Sequence, residues 1–233
     1  MTRDPTSNDE LTVLVAGDSD RPDALRVPVG DLVVVGHVPT GNEAVACVLT
    51  EIPDVLLLDV RIDDRDARAV CRRVREWAPA TRVVAATPRD DERAYTTIVA
   101  GAVGVVLLDD TDAHVVQTLH EVVRGEAVLS ARAATRLLHD VDAWARRSAD
   151  PIHPPPTLTP TEREVLARLG EGHRSAEIAA DHAVTTHLVN LHAGFAVAKL
   201  HRYVHGAEAI NRATAGNAGT TRFGGPARPE SAS

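Results

Sequence analysis

Residues 53–59 read Pro-Asp-Val-Leu-Leu-Leu-Asp, and this stretch constrains the fold more than any other. An unbroken aliphatic run from Val55 to Leu58, with no polar alternation, suits a strand covered on both faces, as in the middle of a parallel sheet flanked by helices. Such a strand delivers its last residue, Asp59, to the C-terminal edge of the sheet. In open α/β sheets ligands and chemistry gather at that edge, where the strand order reverses.

The residues on either side of this run repeat one pattern. Strands are predicted at Leu11 to Ala16, Asp31 to Val35, Arg82 to Ala86 and Val103 to Leu108. Helices are predicted at Arg21 to Val27, where Pro28 stops the run, at Gly41 to Glu51, Ala67 to Trp77 and Asp90 to Ala100, and at Asp112 to Arg124. In the helix from Ala67, the apolar residues Ala67, Val70, Cys71, Val74 and Trp77 oppose four arginines. Five βα units require a parallel sheet with right-handed crossovers, so the expected fold of the first half is an α/β doubly wound five-stranded sheet.

A further helix, Ser130 to Arg147, leads to a segment holding Pro154, Pro155 and Pro156, a stiff spacer that marks a boundary. Beyond it, helices are predicted from Thr159 or Thr161 to Leu169, from Ala176 to Asp181 with Ser175 as cap, from Thr185 to Leu200, and near Gly206 to Ala213. The expected division is a disordered start over 1–10, an α/β domain over 11–128, a linker helix and Pro-rich linker over 129–157, an all-α domain over 158–214, and a disordered tail over 215–233.

The chain has 233 residues, 44% of them hydrophobic, room for one large or two small domains. Its polar, acidic start and the lack of a long apolar stretch lead to the expectation of a cytoplasmic protein with no membrane partner. Cys47 and Cys71 lack any Cys-x-x-Cys spacing and read as buried free thiols. A net charge of −8 gives no global attraction to nucleic acid, so DNA binding must rest on a local motif. No Gly-rich phosphate loop, nucleophile elbow or metal cluster accompanies Asp59, which argues against an enzyme.

Two sets of residues carry a family resemblance. Leu158-Thr159-Pro160-Thr161-Glu162-Arg163-Glu164-Val165-Leu166, then Ser175 to Ala179 and Val189 to His192 before Lys199-Leu200, resemble a LuxR-type helix-turn-helix. The first half resembles a CheY-like receiver, with the carboxylate turn at Asp18, the phosphoacceptor strand ending at Asp59, the switch residue Thr87, and Ala100 to Gly104 ahead of the fifth strand. In this order around a Pro-rich linker, the chain from Leu11 to about Ala213 resembles a NarL/FixJ-type response regulator.

The resemblance also exposes departures. Phosphoryl transfer to an aspartate needs Mg²⁺ and a fixed cation on the equatorial oxygens. In the family, two adjacent acids after the first strand hold the metal and a lysine after the fifth holds the phosphoryl group. Here the first acid is Gly17 and the lysine position is Leu108, while the chain's one lysine, Lys199, lies in the other domain. Asp18 and Asp59 remain as weak Mg²⁺ ligands at best, and no resident cofactor is expected.

For DNA, the resemblance implies that the helix from Thr185 enters the major groove with Asn190, Leu191 and Gly194 toward the bases, and that Lys199 reaches a phosphate. Between Thr157 and Arg212 six basic residues are balanced by six acidic ones, so phosphate attraction should be modest. Six of the eleven histidines fall in this segment, and His201 and His205 are expected in a loop. The expected function is therefore a DNA-binding transcription regulator of atypical response-regulator type. Its receiver is independent of phosphorylation and serves dimerisation or sensing of a small-molecule effector. The alternative is a pseudo-regulator that heterodimerises with a related regulator and binds little DNA alone.

Overall fold

A computed structural model describes residues 10–17, 31–62, 66–88, 92–147 and 154–218, with side chains in the last helix described through residue 208. The expected α/β half is present. Strands β1 (Leu11–Ala16), β2 (Leu32–Val38), β3 (Val55–Asp59), β4 (Arg82–Thr87) and β5 (Gly104–Leu107) form one sheet in the order β2-β1-β3-β4-β5. All four pairings are parallel. The order reverses between β1 and β3, and every residue of β3 is buried, as its unbroken aliphatic run requires.

Side chains alternate between the two faces of the sheet. Leu14, Leu56, Leu58, Val83 and Ala85 pack under α1 (Gly41–Glu51), α2 (Ala67–Trp77) and α3 (Glu92–Ala100). Val13, Val15, Leu57, Val84 and Ala86 meet α4 (Asp112–Val123) through Val115, Leu119 and Val122. Trp77 departs from its predicted inward face: it is exposed at the end of α2, with the Arg73 guanidinium 5.3 Å from its ring centroid. The helix predicted over Arg21 to Val27 lies outside the described residues.

The segment taken as a linker helix is α5 (Ala131–Arg147), and it packs tightly against both halves of the chain. Ser130 caps it through the Ala133 N–H, and Ala134, Leu137 and Val141 join a core that continues into the helical half. Tyr95 on α3 donates its hydroxyl proton to Asp140 at 2.8 Å, and Arg163 donates to Asp142 at 2.8 Å. The Trp144 and Tyr203 rings lie 5.0 Å apart. Sequence punctuation alone could not reveal this packing.

In the helical half, α6 (Pro160–Gly170) starts with a capping box. The Thr159 hydroxyl accepts from the Glu162 N–H, and the Glu162 carboxylate accepts from the Thr159 N–H. Ser175 is the first residue of α7 (Ser175–Asp181) rather than its cap; the extended residue Arg174 takes that position, its N–H donating to Glu177. Thr185 does cap α8, accepting from the Leu188 N–H at 3.2 Å. Two predicted helices are one, α8 (Thr186–Ala218), so His201 and His205 sit on a helix and not in a loop. Gly206 costs about 1 kcal/mol there, and packing of Tyr203 and Val204 against the core outweighs it. No helix among the described residues is long and apolar enough to cross a membrane.

Candidate phosphoacceptor pocket and candidate nucleic-acid interface

Parallel registration brings the expected pocket residues to one edge. Asp59 pairs with Ala86, Thr87 with Leu107, and Ala16, just before Gly17, with Leu58. Asp59 is 1% exposed, and both its oxygens are engaged by a residue that sequence reasoning passed over. Oδ1 accepts from the Arg61 backbone N–H at 2.9 Å and from Nε at 3.2 Å, while Oδ2 accepts from Nη2 at 3.0 Å. This two-pronged guanidinium contact neutralises the carboxylate with no metal required. The signal was available as an arginine two positions beyond the strand's final aspartate.

Gly17 adopts φ 126°, a conformation that L side chains rarely enter, so the lost acid cannot simply be restored by substitution. Leu108 is half-buried and apolar where the family places its cation. Asp18 lies outside the described residues. Among the described residues no three His, Cys, Asp or Glu side chains converge as a metal site. With Arg61 on both oxygens of Asp59 and no side chain on Gly17, the described residues do not fit Mg²⁺. Beside Arg61 lies a cavity of about 560 Å³ whose polar walls include Asp66, Arg68, Glu92 and Arg93. Hydrogen bonding from Arg68 holds the Asp66 carboxyl below the usual range.

Two of the α8 positions expected to face DNA, Asn190 and Gly194, lie instead against the receiver-like half. Asn190 is 2% exposed, and its backbone carbonyl accepts from the Ala127 N–H at 3.1 Å. Gly194 lies against the Gly125 carbonyl so closely that an added Cβ would stand 2.7 Å from that oxygen. Leu191 is half-buried. Glu126, 1% exposed, anchors this contact: it accepts from Arg124 Nε at 2.8 Å and meets His187 Nδ1 at 2.8 Å. Burial alone would raise its carboxyl pKa, but hydrogen bonds from His187, Arg124 and Asn190 hold it below the ordinary value. Asn190 Oδ1 and Glu126 Oε2 are both buried with no hydrogen-bond partner of their own.

Lys199, expected at a phosphate, is committed elsewhere. Its Nζ donates to Glu162 at 2.7 Å and to the Thr157 carbonyl at 3.0 Å, tying α8 to the start of α6. Farther along α8, His201 Nε2 lies 2.7 Å from the Ile98 carbonyl at the end of α3. None of Glu126, His187 or His201 was singled out for this contact by sequence pattern, because their partners lie 61 or 103 residues away.

A doubly wound sheet with an aspartate-tipped central strand, followed by a capped helical region, is the receiver-like arrangement of the response-regulator class. The chain belongs to the family of NarL-type transcriptional response regulators. It is 31% identical over 164 residues to the transcriptional regulatory protein NarL of Mycobacterium tuberculosis, covering 70% of this chain and 73% of that protein. It is 34% identical over 150 residues to the DNA-binding transcriptional activator DevR/DosR of the same organism, covering 64% and 67%. With LiaR of Bacillus subtilis the identity is 27% over 171 residues, covering 73% and 79%. No family model matches the chain. Among solved structures, the receiver domain of the Mycobacterium tuberculosis NarL has a TM-score of 0.46 at 29% identity, covering 50% of this chain and 98% of its own. A complex of the response regulator RcsB with DNA has a TM-score of 0.47 at 18% identity, covering 82% and 92%.

Proposed function

We propose that the chain is a cytoplasmic DNA-binding transcription regulator of atypical type, whose receiver acts without phosphorylation of Asp59 and serves dimerisation or effector sensing. The observation that carries this reading is the occupation of both Asp59 oxygens by Arg61. Gly17 in place of an acid and Leu108 in place of a cation support it. A phosphoryl donor would have to displace a guanidinium from a buried carboxylate with neither a metal nor a lysine to replace its charge.

DNA reading is assigned to α8, capped by Thr185, with Asn190, Leu191 and Gly194 toward the bases. Lys199 contributes by holding Glu162 rather than a phosphate. In the arrangement described, Asn190 is covered by the 124–128 loop, so DNA binding requires the two halves to part. Selection from random duplexes with the purified protein tests this reading: enrichment of a two-fold symmetric site supports a homodimeric regulator. The second reading, a heterodimerising pseudo-regulator, is favoured by the exposed apolar residues Leu188 and Phe195 on α8 and by the neutral charge of the helical half. Enrichment only after a related regulator is added would establish it.

A further inference from the structure

The histidines of α8 are placed where their protonation and the closure of the two halves oppose each other. His201 is enclosed between the halves. Its Nε2 sits 2.7 Å from the Ile98 carbonyl, so the neutral ring serves as a donor to the C-terminal end of α3. One helical turn on, the His205 ring centroid is 5.7 Å away, and Nε2 of His205 is buried with no partner. From α2, the cations Arg75 and Arg72 act on the pair. From α8 itself, the Glu208 carboxylate meets His205 Nδ1 at 3.3 Å. On the other side of His201 lies a cavity of about 300 Å³ with Arg82 and Glu126 on its wall, and Glu126 is already shared between Arg124 and His187. Arginine side chains of α2 therefore act on two rings that are both partly withdrawn from water.

We propose that His201 and His205 form a proton-operated latch between the halves, closed while both rings are neutral and opened by acid, which frees the DNA-reading face of α8. The physical cause is that a second charge on either ring would sit in low dielectric beside Arg75, whereas in the open form water solvates it. The Ile98 carbonyl favours an imidazolium, but burial outweighs that single acceptor and carries the His201 pKa down to about 4 from an ordinary 6.5. A histidine with a depressed value contributes closure that is complete above about pH 6.5 and is lost as pH falls toward 4. Between pH 7.5 and 5.5 the closed-to-open ratio then falls about tenfold through His201 alone, with His205 adding in the same direction.

The proposal rests on α8 being the DNA-reading helix for its consequence, but not for the latch itself, and the experiment separates the two. Fluorescence transfer between labels on exposed Glu51 and Glu171 of the full chain reports closure without DNA. The expected result is a reversible fall in the closed-to-open ratio of about tenfold from pH 7.5 to 5.5, with circular dichroism unchanged. His201→Gln keeps an N–H donor for the Ile98 carbonyl and cannot titrate, so its response should shrink to about twofold; His205→Gln should show an intermediate response. A wild-type ratio constant within twofold, or a His201→Gln response equal to wild type, overturns the latch. Opening at pH 5.5 with no selected DNA site would uphold the latch and refute the DNA-reading assignment instead.

Discussion

Replacing Gly194 by alanine separates closure of the molecule from stability of its helix. An added Cβ would stand 2.7 Å from the Gly125 carbonyl oxygen and 3.4 Å from the Ala127 nitrogen. Both are backbone atoms that cannot rotate aside, so α8 and the 124–128 loop must separate. Overpacking of this kind costs about 1–3 kcal/mol, and the separation also stretches the Ala127 N–H bond to the Asn190 carbonyl and the His187 contact with Glu126. In the helix itself alanine is favoured over glycine by about 1 kcal/mol, and that gain applies whether the halves are closed or open. The closed form should therefore lose a factor of about 5–150 relative to the open one, while helix content is kept. Hydrogen exchange of the Ala127 amide reads this directly, because its protecting acceptor lies across the seam. Exchange should accelerate by that factor. An Ala127 rate within twofold of wild type would refute the reasoning.

Three further outcomes follow from the same geometry. Lys199→Ala should lower stability by about 2–3 kcal/mol, discounted from the 3–5 typical of a broken buried pair because Lys199 is 29% exposed; thermal unfolding should show the loss while the salt dependence of DNA binding stays unchanged. Acetyl phosphate with Mg²⁺ should leave the intact mass unaltered, and a gain of one phosphoryl group that Asp59→Asn abolishes would count against Arg61 as the resident counter-charge. Asn190→Ala should relax base preference worth about 1–3 kcal/mol at one position of a selected site, read by repeating the selection with the variant.

How much of this was legible depends on the range of the interactions. The Val55–Leu58 run, the Thr159–Glu162 capping box and the Thr185 cap are local, and each is visible in a window of a few residues. The fold of the first half follows from such signals because parallel βα units leave few topologies. The candidate site was half legible. Asp59, Thr87 and Gly17 could be placed at one edge from strand ends, whereas the Arg61 contact depends on a side-chain conformation at a turn. The seam was not legible. The family resemblance implied that Gly194 faces the bases, whereas its missing Cβ admits the Gly125 carbonyl. His201 and His205 were expected in a loop between helices ending at Leu200 and starting near Gly206, whereas one helix runs through them with distant contacts at Tyr203 and His201.

The two candidate centres sit at opposite ends of the same sheet. Asp59 ends β3 and Thr87 ends β4, while the seam cavity begins at Arg82, the first residue of β4. Six residues of strand span about 20 Å, a distance over which a direct charge–charge interaction is weak, so strong coupling between the two ends calls for a rigid element that touches both. Helix α3 meets that condition: Glu92 and Arg93 near its start line the cavity beside Arg61, and the Ile98 carbonyl near its end receives His201. On the proposed reading, in which Arg61 holds Asp59 and no phosphoryl group forms there, the groups that govern separation of the halves are those at the lower end of α3, His201 and His205.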